Sequence, residues 1–229
     1  MLLKNKKIIV TGGPTREWID PVRYISNASS GKMGIAIADE AVKRGREAVF
    51  IHGPINTTLL ENKTYRTVPV ESTADLLEAV LKELTPDTVL IMAAAPADYA
   101  PVKKSETKIK KGAENDDLTL KLKKNPDILK HVAGKKEKDQ SLKNIFVAGF
   151  AAETNNIEEY ALKKLKEKNL DMICLNDVSR TGAGFAADTN IIIIFTRNGE
   201  RIELPLLLKD EAAAKILDKI EDVLKNQNR

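Results

Sequence analysis

The chain has 229 residues, enough to bury a full core as one large α/β domain or as one domain with an appendage. Charged residues make up 31% and the net charge is +4, which is ordinary for a globular protein and mildly favours an anionic ligand. Aromatic residues make up only 4%, which argues against a nucleic-acid surface, and no apolar run approaches the roughly 20 residues that span a membrane. The single cysteine, Cys174, excludes an intrachain disulfide and favours a cytoplasmic location.

Apolar runs alternate with amphipathic segments along the chain. The apolar runs predict five strands, at 6–11, 47–52, 87–93, 144–149 and 170–175. The segments between them predict four helices, at 30–45, 73–84, 126–134 and 155–168. Ser72 is expected to cap the second of these helices and Asn125 the third, with Pro126 in its first turn. The alternation is typical of an α/β fold with a doubly wound, mostly parallel, Rossmann-like sheet.

Two segments interrupt this alternation. The first, 94–124, is rich in Ala, Pro and Lys, which suggests a mobile flap. It ends in the alternating run 118–122, which predicts a half-buried strand on an excursion from the main sheet. The second segment, 176–188, predicts a surface loop.

The C-terminal region predicts a β-hairpin followed by a helix. The hairpin is indicated by apolar runs at 191–195 and 201–204 on either side of the pair Asn198-Gly199. Apolar residues four apart between 212 and 224 predict a final helix over about 210–225. We therefore expect a single domain over 1–229.

Residues 23–34 include charged and amide side chains, Arg23, Asn27 and Lys32, that a simple connecting loop does not need. This segment joins the first strand to the first helix, so helix N–H groups and the helix dipole should favour an anion there. It is not a Walker A loop, which would need glycine where Ser26 stands and Ser or Thr where Met33 stands. The dinucleotide fingerprint Gly-x-Gly-x-x-Gly is also absent after the first strand.

The run Arg-Tyr-Ile-Ser-Asn-x-Ser-Ser-Gly-Lys-Met-Gly at 23–34 resembles the signature of phosphopantothenate–cysteine ligases. Further motifs of that family occur in the same order, at 97–99, 108–111, 124–128, 149–154, 168–171 and 176–178. The resemblance covers nearly the whole chain. It implies that CTP, or ATP as in eukaryotic members, activates 4'-phosphopantothenate to an acyl-nucleotide with loss of pyrophosphate. L-Cysteine then attacks the acyl carbon, which releases the nucleoside monophosphate.

Besides the three small-molecule substrates, the resemblance implies a metal ion, an oligomeric state and a partner enzyme. These are Mg²⁺, a homodimer in which the strand at 118–122 can pair, and a flavin-dependent decarboxylase that is fused to the ligase or acts with it. Neither a nucleic acid nor a membrane is expected as a partner.

The resemblance assigns the acyl substrate to the segment 23–34. Asn27 should hold the pantothenate portion or the acyl intermediate, and Arg23 could pair with the phosphate or the carboxylate. Gly31, Lys32 and Met33 lie at the helix start, where Gly31 permits close approach. Structural alternatives stay open: an Asx turn at Asn27, a surface role for Arg23 and simple solvation of Lys32.

The resemblance assigns the nucleotide to residues from four other segments. These are Ala94, Asp98, Lys108, Pro126, Asp127, Ile128, Leu129, Phe150, Lys164 and Lys168. Lys108 is the first candidate for stabilising charge on the acyl-cytidylate, and Lys164 and Lys168 could clamp the triphosphate from one helix face. The alternatives are solvated flap lysines, an ordinary helix cap at Asp127, a core position for Phe150, and salt bridges from the lysine pair to nearby glutamates.

Two other functions fit parts of the sequence. An NAD(P)-dependent oxidoreductase fits the fold, but the second strand ends at His52-Gly53 rather than at an acid for a ribose. A non-catalytic binding subunit descended from the ligase would require damage to the lysine or asparagine positions, and these are intact. His52, His131 and Cys174 are expected to be structural, with no zinc site.

Overall fold

The computed structural model describes residues 6–110, 117–153, 157–177 and 188–227. Its strands are β1 (Lys7–Gly12), β2 (Arg16–Trp18), β3 (Tyr24–Ser26), β4 (Ala48–His52), β5 (Arg66–Pro69), β6 (Thr88–Met92), β7 (Tyr99–Pro101), β8 (Leu122–Lys124), β9 (Phe146–Glu153), β10 (Met172–Asp177), β11 (Thr189–Asn190), β12 (Ile192–Thr196), β13 (Arg201–Glu203) and β14 (Leu207–Leu208). Its α-helices are α1 (Lys32–Lys43), α2 (Thr73–Glu83), α3 (Ile128–Lys138), α4 (Ile157–Glu167) and α5 (Lys209–Gln227). None of the helices in these described ranges is long and apolar enough to cross a membrane.

The main sheet has the strand order β13-β12-β10-β9-β6-β1-β4-β5. The six strands from β10 to β5 are parallel, and β12 and β13 add an antiparallel hairpin at one edge. The predicted Rossmann-like fold with a C-terminal hairpin and helix is confirmed. The chain places β4 and β5 on one side of β1, then returns to place β6, β9 and β10 on the other. This reversal between β1 and β6 opens a crevice beyond the carboxyl ends of the strands, where α/β proteins bind ligands.

The central strands are buried on both faces because helices cover both. Ile8 and Val10 point to the face covered by α1 and α5, where they share a core with Ile37 and Ile216. Ile9, between them, points to the other face and its core with α2, α3 and α4. Alternate residues of one strand thus enter two cores, which explains why the strand sequences read as continuous apolar runs.

Two local predictions, of a strand and of a loop, are wrong. The strand predicted at 118–122 is observed only as β8, which starts at Leu122 and pairs with β7. Leu118 and Leu122 are exposed in the isolated chain, so the alternating pattern has no buried face here. In the loop predicted at 176–188, Asn176 and Asp177 instead extend β10 along β9, and 178–187 lie outside the described residues.

The helix caps give one confirmed and one wrong prediction. Ser72 forms a capping box with Asp75 at the start of α2. Asn125 does not cap α3, because the chain remains extended through Pro126 and Asp127, and Asp127 Oδ1 accepts the hydrogen bond from the Lys130 N–H at 3.2 Å.

Short elements were missed at the sequence level, namely β5, the β2–β3 hairpin, β7 and the pair β11–β14. Each has two to four residues, too few for a periodic pattern to show. The motif residues Lys111, Thr154 and Val178 lie outside the described residues.

Candidate active site

Two cavities adjoin at the carboxyl edge of the sheet. The first, of about 400 Å³, is lined by the loop 27–34, residues 93–95 just after β6, Phe150 and Ala151 of β9, Lys164, Asn176, Asn190 and Lys209. The second, of about 540 Å³, is lined by the chain after β6, the start of α3, Phe150 and Lys168. Ala94 and Phe150 line both cavities. A larger hollow of about 860 Å³ lies at the amino ends of the strands, and none of the predicted site residues lines it.

The first turn of α1 forms one wall of the first cavity. Gly31 precedes the helix with φ of 77°, a conformation that glycine adopts without strain, and no side chain of the described chain caps this end. Gly34 lets the helix approach β1, because a Cβ there would lie 2.8 Å from the Thr11 carbonyl oxygen and 3.0 Å from Gly12 Cα. The predicted anion-favouring helix end is therefore packed directly against the sheet's carboxyl edge.

Asn27 lies at the mouth of the first cavity and is held by its amide nitrogen. Nδ2 donates to the carbonyl oxygens of Ala95, at 3.3 Å, and Pro96, at 3.0 Å. Its Oδ1 accepts no hydrogen bond from the described residues, so no Asx turn forms. The side chain consequently offers a hydrogen-bond acceptor to a ligand, whereas its donor group is already used within the chain.

Lysine side chains make the first cavity cationic. Lys32 Nζ pairs with Asp188 Oδ1 at 2.6 Å, and both groups are exposed to solvent. Lys209 is buried, and its Nζ donates to Asn190 Oδ1 at 3.2 Å. Burial lowers the pKa of Lys209, the nearby Lys32 charge lowers it further, and Asp188 opposes the shift. With Lys164 also in the lining, this cavity suits an anionic ligand.

Lys209, Asn176 and Asn190 were not among the predicted site residues. All three are buried and line the first cavity. Asn176 falls in a family motif and ends an apolar run, which was a usable signal. Lys209 looks like the first residue of a surface helix, and only the fold shows that it turns inward.

Buried threonines fix the loop that forms the second cavity. Ala94 N donates to Thr11 Oγ1 at 3.1 Å, and Ala97 N donates to Thr15 Oγ1 at 2.9 Å. Thr15 Oγ1 in turn lies 2.9 Å from Thr73 Oγ1. The backbone predicted to contact the nucleotide is thus tied to β1, to the chain after it and to α2.

The start of α3 forms the opposite wall of the second cavity, as the family motif suggested. Pro126, Asp127, Ile128 and Leu129 all line it, with Asp98 and Phe150. Asn125 Nδ2 donates to the Ala97 carbonyl oxygen at 2.8 Å, which joins this wall to the loop after β6.

Lys164 and Lys168 line different cavities. Lys164 lies in the first, whereas Lys168, just beyond the end of α4, lies in the second. Lys168 Nζ pairs with Asp127 Oδ2 at 3.2 Å. The two lysines, four residues apart, therefore each line one of the two adjoining cavities.

Arg23 and Lys108 line neither cavity. Arg23 pairs with the buried Asp20 and donates to the Ile109 carbonyl oxygen at 2.9 Å. This pairing holds the pKa of Asp20 well below its usual range, aided by backbone N–H donors and opposed by burial. Lys108 is exposed on the segment between β7 and residue 110.

The remaining predicted structural residues are accounted for locally. Cys174 is fully buried in β10, and burial raises the pKa of its thiol. His52 is buried and its Nδ1 lies 2.8 Å from the Gly53 carbonyl oxygen, whereas His131 is exposed on α3. Within the described ranges, no cluster of three or more His, Cys, Asp or Glu side chains could hold a metal ion.

Residues 3–224 of this chain match the family described as DNA/pantothenate metabolism flavoprotein C-terminal domain. The chain belongs to this family. It is 45% identical over 218 residues to the coenzyme A biosynthesis bifunctional protein CoaBC of Bacillus subtilis, covering 95% of this chain and 52% of that protein. It is 43% identical over 228 residues to CoaBC of Escherichia coli K12, covering 99% of this chain and 54% of that protein.

The crystal structure of a relative confirms the fold of this chain. A crystal structure of the C-terminal domain of a CoaBC protein is 41% identical, superposes with a TM-score of 0.76 and covers 98% of both chains. This chain spans about half the length of the curated relatives it matches. The family inferred from the motifs at 23–34 and beyond is confirmed.

Proposed function

We propose that this chain is a phosphopantothenate–cysteine ligase of coenzyme A biosynthesis that uses CTP. The observation that carries the proposal is the pair of adjoining cavities, which share Ala94 and Phe150. A two-step ligase needs one subsite for the acyl substrate and one for the nucleotide, open to each other where the acyl-phosphate bond forms. Membership in the family and relatives described as coenzyme A biosynthesis proteins support this assignment.

In the first step, the substrate carboxylate attacks the α-phosphorus of CTP and pyrophosphate leaves. The first cavity receives the pantothenate portion, with Lys209, Lys32 and the start of α1 opposing its negative charge. The second cavity receives the nucleotide, with Lys168 beside the phosphates and Phe150 at the junction with the first cavity. Lys108 stabilises the charge that develops on the phosphates. This role requires the exposed Lys108 side chain to turn toward the second cavity when CTP binds.

In the second step, the amine of L-cysteine attacks the acyl carbon and CMP leaves. Asn27 is suited to hold the acyl intermediate because its Oδ1 is an unused acceptor for a substrate N–H or O–H group. The hydrogen bonds from Nδ2 to the Ala95 and Pro96 carbonyls hold that oxygen in place.

Magnesium is part of the proposal as a companion of the triphosphate. Asp98 lines the second cavity, is exposed, and forms no ion pair within the described ranges, so it can supply one carboxylate ligand. One carboxylate plus nucleotide phosphates is the usual way that proteins hold Mg²⁺. When bound, the ion would neutralise charge on the leaving pyrophosphate.

We further propose a homodimer. Six apolar side chains on or beside the two-stranded sheets β2–β3 and β7–β8 are between 41% and 56% exposed: Val22, Tyr24, Tyr99, Val102, Leu118 and Leu122. The sheet β2–β3 lies against β7, so these residues belong to one region, and such a patch favours association. A flavin-dependent decarboxylase fused to the chain or acting with it, and a cytoplasmic location, complete the proposal. Sedimentation of the purified chain tests the dimer, and a monomer at micromolar concentration would contradict it.

The decisive assay is pyrophosphate release from phosphopantothenate and Mg²⁺ with CTP, ATP, GTP or UTP. We expect release with CTP above the other three nucleotides, and CMP formation once L-cysteine is added. Lys108→Gln should abolish turnover, whereas Lys103→Gln, at another exposed lysine of the same segment, should retain it. Asn27→Asp should release pyrophosphate but accumulate the acyl-cytidylate. No pyrophosphate release with any of the four nucleotides would overturn the proposed function.

A further inference from the structure

Asp20 is a fully buried carboxylate in the turn between β2 and β3. Its two oxygens have different partners. Oδ1 accepts from the backbone N–H groups of Val22 and Arg23, both at 2.8 Å, which closes the turn. Oδ2 accepts from Arg23 Nε at 3.0 Å and from Ile109 N at 3.1 Å. One oxygen therefore serves the local turn and the other serves a segment 89 residues away.

Ile109 is held by both of its backbone polar groups. Its N–H donates to Asp20, and its carbonyl oxygen accepts from Arg23 Nη2 at 2.9 Å. A third backbone bond, from Ser105 N to the Ile19 carbonyl oxygen at 2.9 Å, joins the same two segments four residues earlier. Exposed loops rarely have such anchoring, and the anchored residue immediately follows Lys108.

We propose that Asp20 is a positioning residue for Lys108. Its Oδ2, together with Arg23, clamps Ile109 and thereby sets where the Lys108 side chain starts relative to the loop that carries Asn27. The proposal rests on the proposed ligase function, in which Lys108 acts on the nucleotide. It assigns Arg23 a second task besides substrate contact, because Nε and Nη2 hold the clamp.

The clamp also connects the two halves of the proposed site. Arg23 directly precedes β3, and Asn27 directly follows it, so the two residues are separated by one three-residue strand. Arg23 Nη1 forms no hydrogen bond within the described ranges, and the side chain is 41% exposed. Arg23 can therefore hold Ile109 and still present Nη1 to an anion.

The variant Asp20→Asn separates the two tasks of the carboxylate. An asparagine can keep its oxygen at the Oδ1 position and close the turn, but its amide nitrogen at the Oδ2 position cannot accept from Ile109 or Arg23. We expect amide hydrogen exchange in the peptide 105–110 to accelerate about tenfold or more, with core amides of β1 unchanged. We expect kcat for pyrophosphate release to fall about tenfold or more, with KM for CTP within about threefold, because positioning acts on the transition state.

The matched control is Asp139→Asn. Asp139 also closes a turn with one carboxylate oxygen, accepting from Ser141 N at 3.0 Å, but it lies outside both site cavities. This variant should leave exchange in 105–110 and kcat unchanged. If Asp20→Asn lowers only the melting temperature, with wild-type exchange in 105–110 and wild-type kcat at 25 °C, Asp20 is structural and the proposal is overturned.

The exchange measurement separates this inference from the ligase proposal. A wild-type chain that releases no pyrophosphate would refute the ligase, while exchange in 105–110 would still decide whether the clamp exists. Should Asp20→Asn not fold, Arg23→Lys replaces it, since lysine can pair with Asp20 but cannot also reach the Ile109 carbonyl in the same fork geometry. Its 105–110 peptide should then exchange faster than that of the wild type, and an unchanged rate would refute the clamp.

Discussion

Within the motif at 23–34, Gly34 is a position where the structure leaves no room for a side chain, and the effect can be measured. It lies in the first turn of α1, and an added Cβ would meet two backbone atoms, Thr11 O at 2.8 Å and Gly12 Cα at 3.0 Å. The third neighbour, Phe50 Cε2 at 2.9 Å, belongs to a fully buried ring. Thr11 is paired on both sides within the sheet, so β1 cannot move away. Gly34→Ala must therefore push α1 off the sheet.

The expected cost of Gly34→Ala follows from two opposing terms. An extra methyl group in a close-packed site costs about 1–3 kcal/mol. Alanine is the better helix former and returns up to about 1 kcal/mol. The contacts are with backbone, which relaxes least, so we expect a net loss of about 1–2 kcal/mol. For a chain of this size, that lowers the melting temperature by about 2–8 °C.

Gly134→Ala is the matched control because it makes the same change in a helix without the contact. Gly134 lies inside α3, has no positive φ, and a Cβ there would meet nothing within 4 Å. This variant should gain about 1 kcal/mol and melt about 2–4 °C above the wild type. Thermal unfolding followed by circular dichroism at 222 nm compares all three proteins. If Gly34→Ala melts as high as Gly134→Ala, the close approach of α1 to β1 does not explain the glycine.

Three further predictions concern the site, a helix cap and pH dependence. Lys209→Met removes the buried ammonium at nearly constant length and should raise KM for phosphopantothenate about 10–100-fold in the pyrophosphate assay, with an unchanged KM contradicting the lysine's role. Ser72→Ala removes the capping box of α2 and should lower the free energy of unfolding, measured in urea, by about 1 kcal/mol. A loss below about 0.3 kcal/mol would show that the cap does not stabilise the helix. Burial raises the pKa of Glu83, but hydrogen bonds from Lys7 and Arg66 outweigh this effect and hold the pKa below 4.5. The ionised Glu83 therefore stabilises the fold at pH values above the unfolded-state pKa. This stabilisation is lost as the pH falls through the folded-state pKa. The unfolding free energy of Glu83→Gln should therefore fall less steeply than that of the wild type between about pH 5 and 3, and parallel curves would contradict the pairing.

The main sheet could be predicted because its strands are buried on both faces. A strand such as Lys7–Gly12 is buried from Ile8 onward and carries the apolar run Ile8–Val10. The amphipathic segment after it must cover one face, so the type and order of these elements follow from the pattern alone. The excursion after β6 could not be predicted in the same way. Apolar side chains alternate at Leu118 and Leu122, but both are exposed. The alternation here therefore does not indicate packing against a core of the same chain.

The candidate site shows the same division between local and long-range information. Residues contiguous in a motif, such as Pro126 to Leu129, line one cavity together because a helix start keeps neighbours together. Lys209 and Asp20 could not be found from the sequence, because each owes its role to a partner far along the chain. Lys209 turns inward because Asn190 and the first cavity lie beside it, and Asp20 is buried because Arg23 and Ile109 close over it.

In the proposed ligase reaction, the bond-forming step belongs at the junction of the two cavities. Ala94 lies just beyond the end of β6 and Phe150 lies within the adjacent strand β9, and these two residues line both cavities. An acyl substrate anchored among the first-cavity lysines and a nucleotide anchored at the start of α3 can bring carboxylate and α-phosphorus together only across this junction. Ala94 is small and its backbone is tethered to Thr11, so the junction is both open and rigid. Closely held reactants are what a ligase requires, because much of its rate advantage comes from positioning two bound substrates.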